Sequence, residues 1–355
     1  MKQRSRSILI GLIISLVMLY LAFHKVDFAE LLETVRQVSL PLLAVAVVVD
    51  LTRLYLPTLR WRVLLEPVQR IEITDLWHAV AIGFAVNNVL PLRAGEFTRA
   101  YVLGRKVGLS KTTVFTTIVV ERMFDGLSLL VLAFVSLLLF PLPPDIRHYL
   151  LLASLMLLGL ALAVLIVAFS PSRTERLANA LARFLPARLR DQVRYKIPSM
   201  LAGFACLRNP VLLLKVSLWS LVIWFMEGTA FYFVAQALKL PLNYFASALT
   251  AIVTNLGIMV PSSPGFVGPF EFFTTHMAQA VARPEIVTAA QAASYALILH
   301  TVIFVPITMI GLYYLNLMHL KLSALAEASG EPQPQTAEVG CELPEASSEA
   351  SNENQ

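Results

Sequence analysis

Long apolar runs, broken at few points by charge, dominate the chain. Runs near 8–23, 40–56, 112–140, 148–169, 211–235 and 294–318 each approach the ~20 residues that cross a bilayer as a helix. Two further apolar stretches, 74–92 and 244–260, stop at helix breakers. The first runs into Asn87-Asn88-Val89-Leu90-Pro91-Leu92-Arg93-Ala94-Gly95-Glu96. The second runs into Val260-Pro261-Ser262-Ser263-Pro264-Gly265-Phe266-Val267-Gly268-Pro269-Phe270-Glu271. Irregular backbone at membrane depth is tolerated only where protein or a water-filled cavity satisfies it. Two breaks in corresponding places of two halves point to a transport site.

Composition agrees with the pattern. Hydrophobic residues make up 57% of the chain and charged residues 14%, against roughly 25% charged in soluble domains. Mean hydropathy is +0.71. The basic start at Lys2, Arg4 and Arg6 resembles a signal peptide, but Phe23-His24-Lys25-Val26-Asp27 offers no small-residue cleavage pattern, so the segment reads as a retained first span. Cys206 and Cys341 have no metal spacing, fall in segments assigned to the cytoplasm and are expected as reduced thiols.

Basic residues set the orientation. The amino terminus is expected in the cytoplasm, and the 24–39 loop, with Lys25 and Arg36 against three acidic residues, outside. Arg53, Arg60, Arg62 and Arg70 form one basic group, and Arg93, Arg99, Arg105, Lys106 and Lys111 a second. Both favour the cytoplasm, so 74–104 is predicted to enter from that side and return. Segment 112–140 then crosses outward and 148–169 back. The 171–209 loop carries eight basic residues, with Leu177, Leu181, Phe184 and Leu185 at helical spacing. It reads as an amphipathic surface on the anionic inner leaflet, or simply as a determinant of topology. Segment 244–283 is predicted to re-enter from outside. The acidic tail 321–355 is expected to be disordered and cytoplasmic.

The predicted architecture is an all-α integral plasma (inner) membrane protein with a polytopic domain over 1–320. It has about six spanning helices and two oppositely oriented re-entrant helical hairpins, or about eight spans if the hairpins cross. The halves 74–140 and 244–318 would form an inverted repeat, with a site at its axis.

Charges within a span are costly unless paired or facing a polar cavity, which marks them as functional candidates. Glu121 and Asp125 lie four apart on one helix face, with Arg122 three from Asp125. Such a cluster can also serve packing alone. Arg93, Arg99 and Arg122 offer guanidinium forks that match phosphate, and Gly95 admits a close anion. Glu96, Glu121 and Asp125 would balance charge. Ser262 adds a hydroxyl donor, and Gly265 and Gly268 suggest a backbone nest. Glu271 suits a helix N-terminus. Glu227, mid-span, is a candidate for proton coupling. His300 reads as a satisfied packing histidine, and His78 and His276 are unremarkable. No phosphate-loop, H-E-x-x-H, C-x-x-C or G-x-S-x-G pattern occurs, so no cofactor, metal ligand or catalytic residue is assigned. No nucleic-acid partner is expected.

The runs N-N-V-L-P-L-R-A-G-E-F-T-R, V-V-E-R-M-F-D and V-P-S-S-P-G-F-V-G-P-F-E resemble the signatures of the lysylphosphatidylglycerol synthase transmembrane (flippase-like) family, also called UPF0104 membrane proteins. The resemblance covers roughly residues 5–320. It implies movement or handling of a lipid between leaflets, with membrane lipids as partners. It does not imply aminoacyl transfer, because the separate soluble domain that attaches lysine is not found in this sequence. The positions carried over are Asn88, Pro91, Arg93, Gly95, Glu96, Arg99, Glu121, Arg122, Asp125, Pro261, Pro264, Gly265, Gly268 and Glu271. Phe266 and Pro269 depart from the expected pattern. Arg93, Arg99 and Arg122 would take the headgroup, of an anionic phospholipid or a polyprenyl or glycolipid, with Asn88, Gly95 and the second break lining the site. Glu227 or Glu121 would couple a proton. Two alternatives remain: an intramembrane enzyme on a lipid-linked sugar using Glu121 and Asp125, and a non-transporting partner subunit of a lipid-modifying enzyme, docking through 171–209.

Overall fold

A computed structural model describes residues 2–90, 94–139, 199–200, 202–204, 207, 209–259, 263–282 and 285–319, with a few positions between 147 and 162. Arg93, Ser262, Pro91, Pro261, both cysteines and the acidic tail lie outside the described residues, as do most of 148–169 and of the 171–209 loop. The described secondary structure is helical: α1 (Lys2–Phe23), α2 (Phe28–Arg36), α3 (Leu40–Leu65), α4 (Ile73–Val89), α5 (Ala94–Val107), α6 (Lys111–Leu139), α7 (Pro210–Ala237), α8 (Tyr244–Gly257), α9 (Pro269–Ala282) and α10 (Ala289–Leu317).

Local chemistry sets the boundaries. Asp27 caps α2 by accepting from the amides of Ala29 and Glu30, which turns the chain by 82° between Gly11–Phe23 and Phe28–Arg36. Asn209 caps α7 and Asn243 caps α8. Thr288 and Gln291 form a reciprocal capping box on α10. Among the described residues three helices are long and apolar enough to cross a membrane, α3, α7 and α10, or up to four if the bent α1–α2 pair is one span. Their outer faces expose Leu214, Leu218, Phe225, Met309 and Tyr313, an apolar surface that water does not tolerate and acyl chains do.

The described boundaries correct one reading of the sequence. The second span does not stop near residue 56; α3 continues to Leu65 and carries Arg53 and Arg60 into the protein interior. Arg62 and Arg70 are exposed, as loop residues would be. Local windows end a span at arginine, but these two arginines are paid for by carboxylates on other helices.

At each break the chain folds back on itself. Gly95 of α5 lies so close to Gly83 of α4 that any β-carbon would collide with the Gly83 carbonyl. At the other end of this hairpin Lys106 Nζ stands 3.9 Å from Asp75. In the second hairpin Thr254 of α8 meets Thr274 of α9 at 3.0 Å. The longest helices then interlock. α3 packs on α7, α4 on α10, and α8 on both α9 and α6. One apolar cluster gathers Trp61, Leu76, Val80, Leu103 and Ile118 around the first hairpin. A second gathers Phe231, Ala246, Phe270, Tyr295 and Leu299 around the other.

Gly95→Val is expected to force α4 and α5 apart, costing about 1–3 kcal/mol or more as overpacking. Leu218→Val on the outer face should change stability by under about 0.5 kcal/mol. Thermal unfolding of purified protein in detergent separates the two.

Candidate functional site

α3 carries Asp50, Arg53, Pro57 and Arg60 at spacings that fall on one helix face, and all four are buried. α7 presents Ser220 and Glu227, two turns apart, to the same interior. The helices meet in two rungs. Arg53 Nη1 lies 2.7 Å from Glu227 Oε2, and Arg60 Nη1 donates to Ser220 Oγ at 2.8 Å. Because residue numbers rise along one helix as they fall along the other, α3 and α7 are antiparallel here.

α6 supplies the carboxylates for Arg60. Its guanidinium contacts Asp125 Oδ1 at 2.5 Å and Glu121 Oε1 at 3.1 Å. Arg99 of α5 forks onto the same Glu121 at 3.1 and 3.0 Å. It also stacks 4.2 Å over the Trp61 ring, whose indole N–H donates to Thr117. Arg122 Nη2 reaches Glu121 at 2.6 Å and Asp125 at 3.3 Å. Thus Glu121, with a side chain 0% exposed, accepts from Arg99 and Arg122 and pairs with Arg60 as a third guanidinium, while the Arg122 side chain is 42% exposed. Carboxylates deep in an apolar bundle persist only with such partners.

A cavity of about 440 Å³ opens beside this network, a size ordinary for a small-ligand site. α3 lines it with Arg53, Pro57 and Arg60, α4 with Asn87 and Asn88, and α5 with Glu96 and Phe97. α6 adds Arg122 and Asp125, and α7 adds Trp224 and Glu227. The ends of the second break contribute Ile258, Met259 and Phe266, and α10 contributes Ile303, Phe304 and Ile307. Both helix breaks therefore reach one space, whose walls are mostly apolar.

Of the residues singled out in the sequence, Asn88, Glu96, Arg122, Asp125 and Glu227 lie on this cavity. Asn88 also donates to Thr308 of α10 at 2.7 Å. Arg99 and Glu121 sit behind the wall as a buried ion pair. The Gly95 amide is taken by Asn87 Oδ1 at 2.7 Å, so the need for glycine there comes from the close approach to Gly83. The Gly268 amide is likewise taken, donating to Glu271 Oε2 at 2.7 Å. Glu271 holds His300 Nδ1 through its other oxygen, at 2.5 Å. Gly265, at φ 69°, packs near the Asn88 carbonyl and brings the second break against the first.

The sequence reading took Arg53 and Arg60 for cytoplasmic charges and passed over Asp50 and Asn255, which donates to Glu227 Oε1 at 3.3 Å. For α3 the signal was present as charge at helical spacing, with Asp50 and Arg53 inside the run assigned to 40–56 and Arg60 just beyond it.

Residues 8–311 match the family described as the lysylphosphatidylglycerol synthase TM region. The chain belongs to that family. Its apolar helices fit the multi-pass membrane protein that membership implies. A UPF0104 membrane protein from Methanothermobacter thermautotrophicus is 25% identical over 67% of this chain and 75% of its own length. A UPF0104 membrane protein from Methanocaldococcus jannaschii is 25% identical over 53% of the chain and 76% of its own length. Glycosyltransferase AglD from Haloferax volcanii is 25% identical over 95% of the chain, a match that spans 58% of that longer protein.

Arg99→Ala is expected to destabilise the fold by about 3–5 kcal/mol, since it strips a partner from a fully buried carboxylate. Arg122→Ala, at a half-exposed position, should cost about 1 kcal/mol or less. Denaturant midpoints of the two variants test the contrast.

Proposed function

We propose that this member of the lysylphosphatidylglycerol synthase TM family moves an anionic lipid headgroup between leaflets through the 440 Å³ cavity. The observation that carries the reading is the convergence of both helix breaks on a space where Arg122 is half-exposed between Glu96 and Asp125. A guanidinium fork takes phosphate bidentately, and Arg53 and Arg60 line the same cavity. Phe84, Phe97, Phe115 and Ile118 give the remaining wall an apolar character that suits the glycerol and first methylenes. The chains stay in lipid.

The architecture in this reading is six spans with two opposed re-entrant hairpins. The hairpin arms run from 14 to 17 residues, or about 21–25 Å at 1.5 Å per residue, short of the roughly 30 Å hydrocarbon core. Asp75 at the start of α4 and Lys106 at the end of α5 lie together, as a hairpin returning to its own side requires. Arg62, Arg70, Arg105 and Lys106 are exposed at that end, which supports a cytoplasmic location by the bias of basic loops. The interlocked packing of α4 on α10 and α8 on α6 supports halves related by an inverted repeat. Rocking of the halves about α3 and α7 then exposes the site to one leaflet or the other.

A second reading, an enzyme on a lipid-linked sugar, draws on the resemblance to glycosyltransferase AglD. It needs Glu121 and Asp125 as an acid–base pair. Asp125 reaches the cavity, but Glu121 is enclosed by Arg60, Arg99 and Arg122 and has no free face for a substrate. The flippase reading asks nothing of Glu121 but charge.

Leaflet exchange in vesicles holding purified protein tests the proposal, with labelled phosphatidylglycerol, its aminoacylated form and a polyprenyl-phosphate sugar. Exchange of at least one lipid is expected, with a loss of about tenfold or more in Arg122→Ala, equivalent to a single charge-assisted bond of roughly 1.4 kcal/mol or above. No exchange of any lipid by folded protein overturns it and favours the partner-subunit role.

A further inference from the structure

We infer that Asp50, Arg53 and Glu227 form a proton-binding site that takes up one proton with each lipid anion. The inference rests on the lipid-handling reading of the same cavity. Arg53 stands between two carboxylates, 2.7 Å from Asp50 Oδ1 and 2.7 Å from Glu227 Oε2. One cation against two anions leaves the triad with an excess negative charge when both carboxylates are ionised. Asp50 is 0% exposed, and its Oδ2 has no hydrogen-bond partner. A buried, uncompensated carboxylate oxygen is strongly disfavoured, and the ordinary remedy is to bind a proton.

Among the described residues the charges around it leave no other counter-ion. On α3 itself Arg60 is occupied by Asp125 and Glu121 of α6. From α7, Glu227 faces the triad and Lys215 is exposed. α10 carries no Asp, Glu, Lys or Arg, and its His300 is bound to Glu271 of α9. In α4, Asp75 pairs with Lys106 at the far end of the hairpin. α8 brings the neutral Asn255 to Glu227. Among the described residues no group of three or more His, Cys, Asp or Glu could hold a metal ion.

Arg53, Glu227 and Asn255 line the cavity, whereas Asp50 lies behind Arg53. At rest, protonated Asp50, Arg53 and ionised Glu227 sum to zero. A phosphodiester that takes the Arg53 fork strips Glu227 of its cation. Glu227 then accepts a proton, and the sum returns to zero. No bond other than O–H forms or breaks. The proton enters from water through the cavity and leaves with the lipid.

Two measurements on full-length protein test this. The first is infrared difference titration in phosphatidylcholine vesicles, which contain no anionic lipid. A protonated-carboxyl carbonyl band at neutral pH is expected in the wild type and should vanish in Asp50→Asn. An absent band, or one that survives the substitution, overturns the site. The second follows an indicator dye in weak buffer as phosphatidylglycerol is added. Uptake of about one proton per protein is expected, retained in Asp50→Asn and reduced at least fivefold in the double variant Asp50→Asn/Glu227→Gln. In Glu227→Gln alone Asp50 ionises to pair with Arg53 and takes the proton when the lipid binds, so that variant keeps uptake and loses the resting carbonyl band. The wild-type titrations judge the inference even if the double variant misfolds. No uptake, uptake undiminished in the double variant, or uptake that follows sodium at fixed pH overturns it. Uptake on adding inorganic phosphate alone, with none for the lipid, overturns the lipid coupling. If both titrations behave as expected while leaflet exchange is absent, the transport reading fails and the proton site stands.

Discussion

The carboxylate of Glu121 organises the interior. A lone charge in an apolar bundle is prohibitive, and three guanidiniums from three helices neutralise it: Arg60 of α3, Arg99 of α5 and Arg122 of its own helix α6. Each then fixes something else. Arg99 clamps the returning arm of the first hairpin and covers Trp61. Arg60 extends the network to Ser220 and so to α7. Arg122, last and least buried, is left with part of its fork facing the cavity. The buried pairs are a frame, and the exposed cation is what the frame positions.

The two helix breaks obey the same economy. Broken backbone in an apolar setting needs internal partners. Asn87 supplies one to Gly95, and Glu271 supplies one to Gly268. The amide of Ser263 donates to Ser15 Oγ of α1, 248 residues away in the chain. The first helix is therefore part of how the second break is closed. With these described amides engaged, the anion recognition proposed for the cavity would fall to side chains, and chiefly to arginine.

Much of this was written in the local pattern. Apolar periodicity located α1, α6, α7 and α10, proline and glycine marked both breaks, and the spacing of Glu121 and Asp125 put both carboxylates on the face that meets Arg60. The contents of α3 were not legible in that way. Asp125 and Ser220 lie 65 and 160 residues from Arg60, so nothing near Arg60 in sequence announces that its charge is matched. An arginine at the end of an apolar run looks like a loop until its partner is known. Gly95 misled in the opposite sense: a glycine close after a helix break suggested room for an anion, but here it allows two helices to touch. In each case the deciding fact is a contact between distant segments.

α3 connects the parts that must work together. Arg53 and Arg60 are two turns apart, about 10 Å along the axis, and belong to separate clusters. The Arg60 cluster sets three guanidiniums against Glu121 and Asp125, and Glu96 on the cavity wall acts on Arg122 as a further anion. The Arg53 cluster sets one guanidinium against two carboxylates. Between them lies Pro57, which lacks an N–H for the carbonyl of Arg53 and lines the cavity. Pro306 interrupts α10 beside Ile303, Phe304 and Ile307, on another wall of the same space. Backbone ladders are thus weakened where the cavity is, while ion pairs tie the helices together on either side of it. Under the proposed lipid-moving reading, a bundle built this way would bend at the level of the site and keep its charged contacts, which is what alternating access to two leaflets asks of a polar site in an apolar solvent.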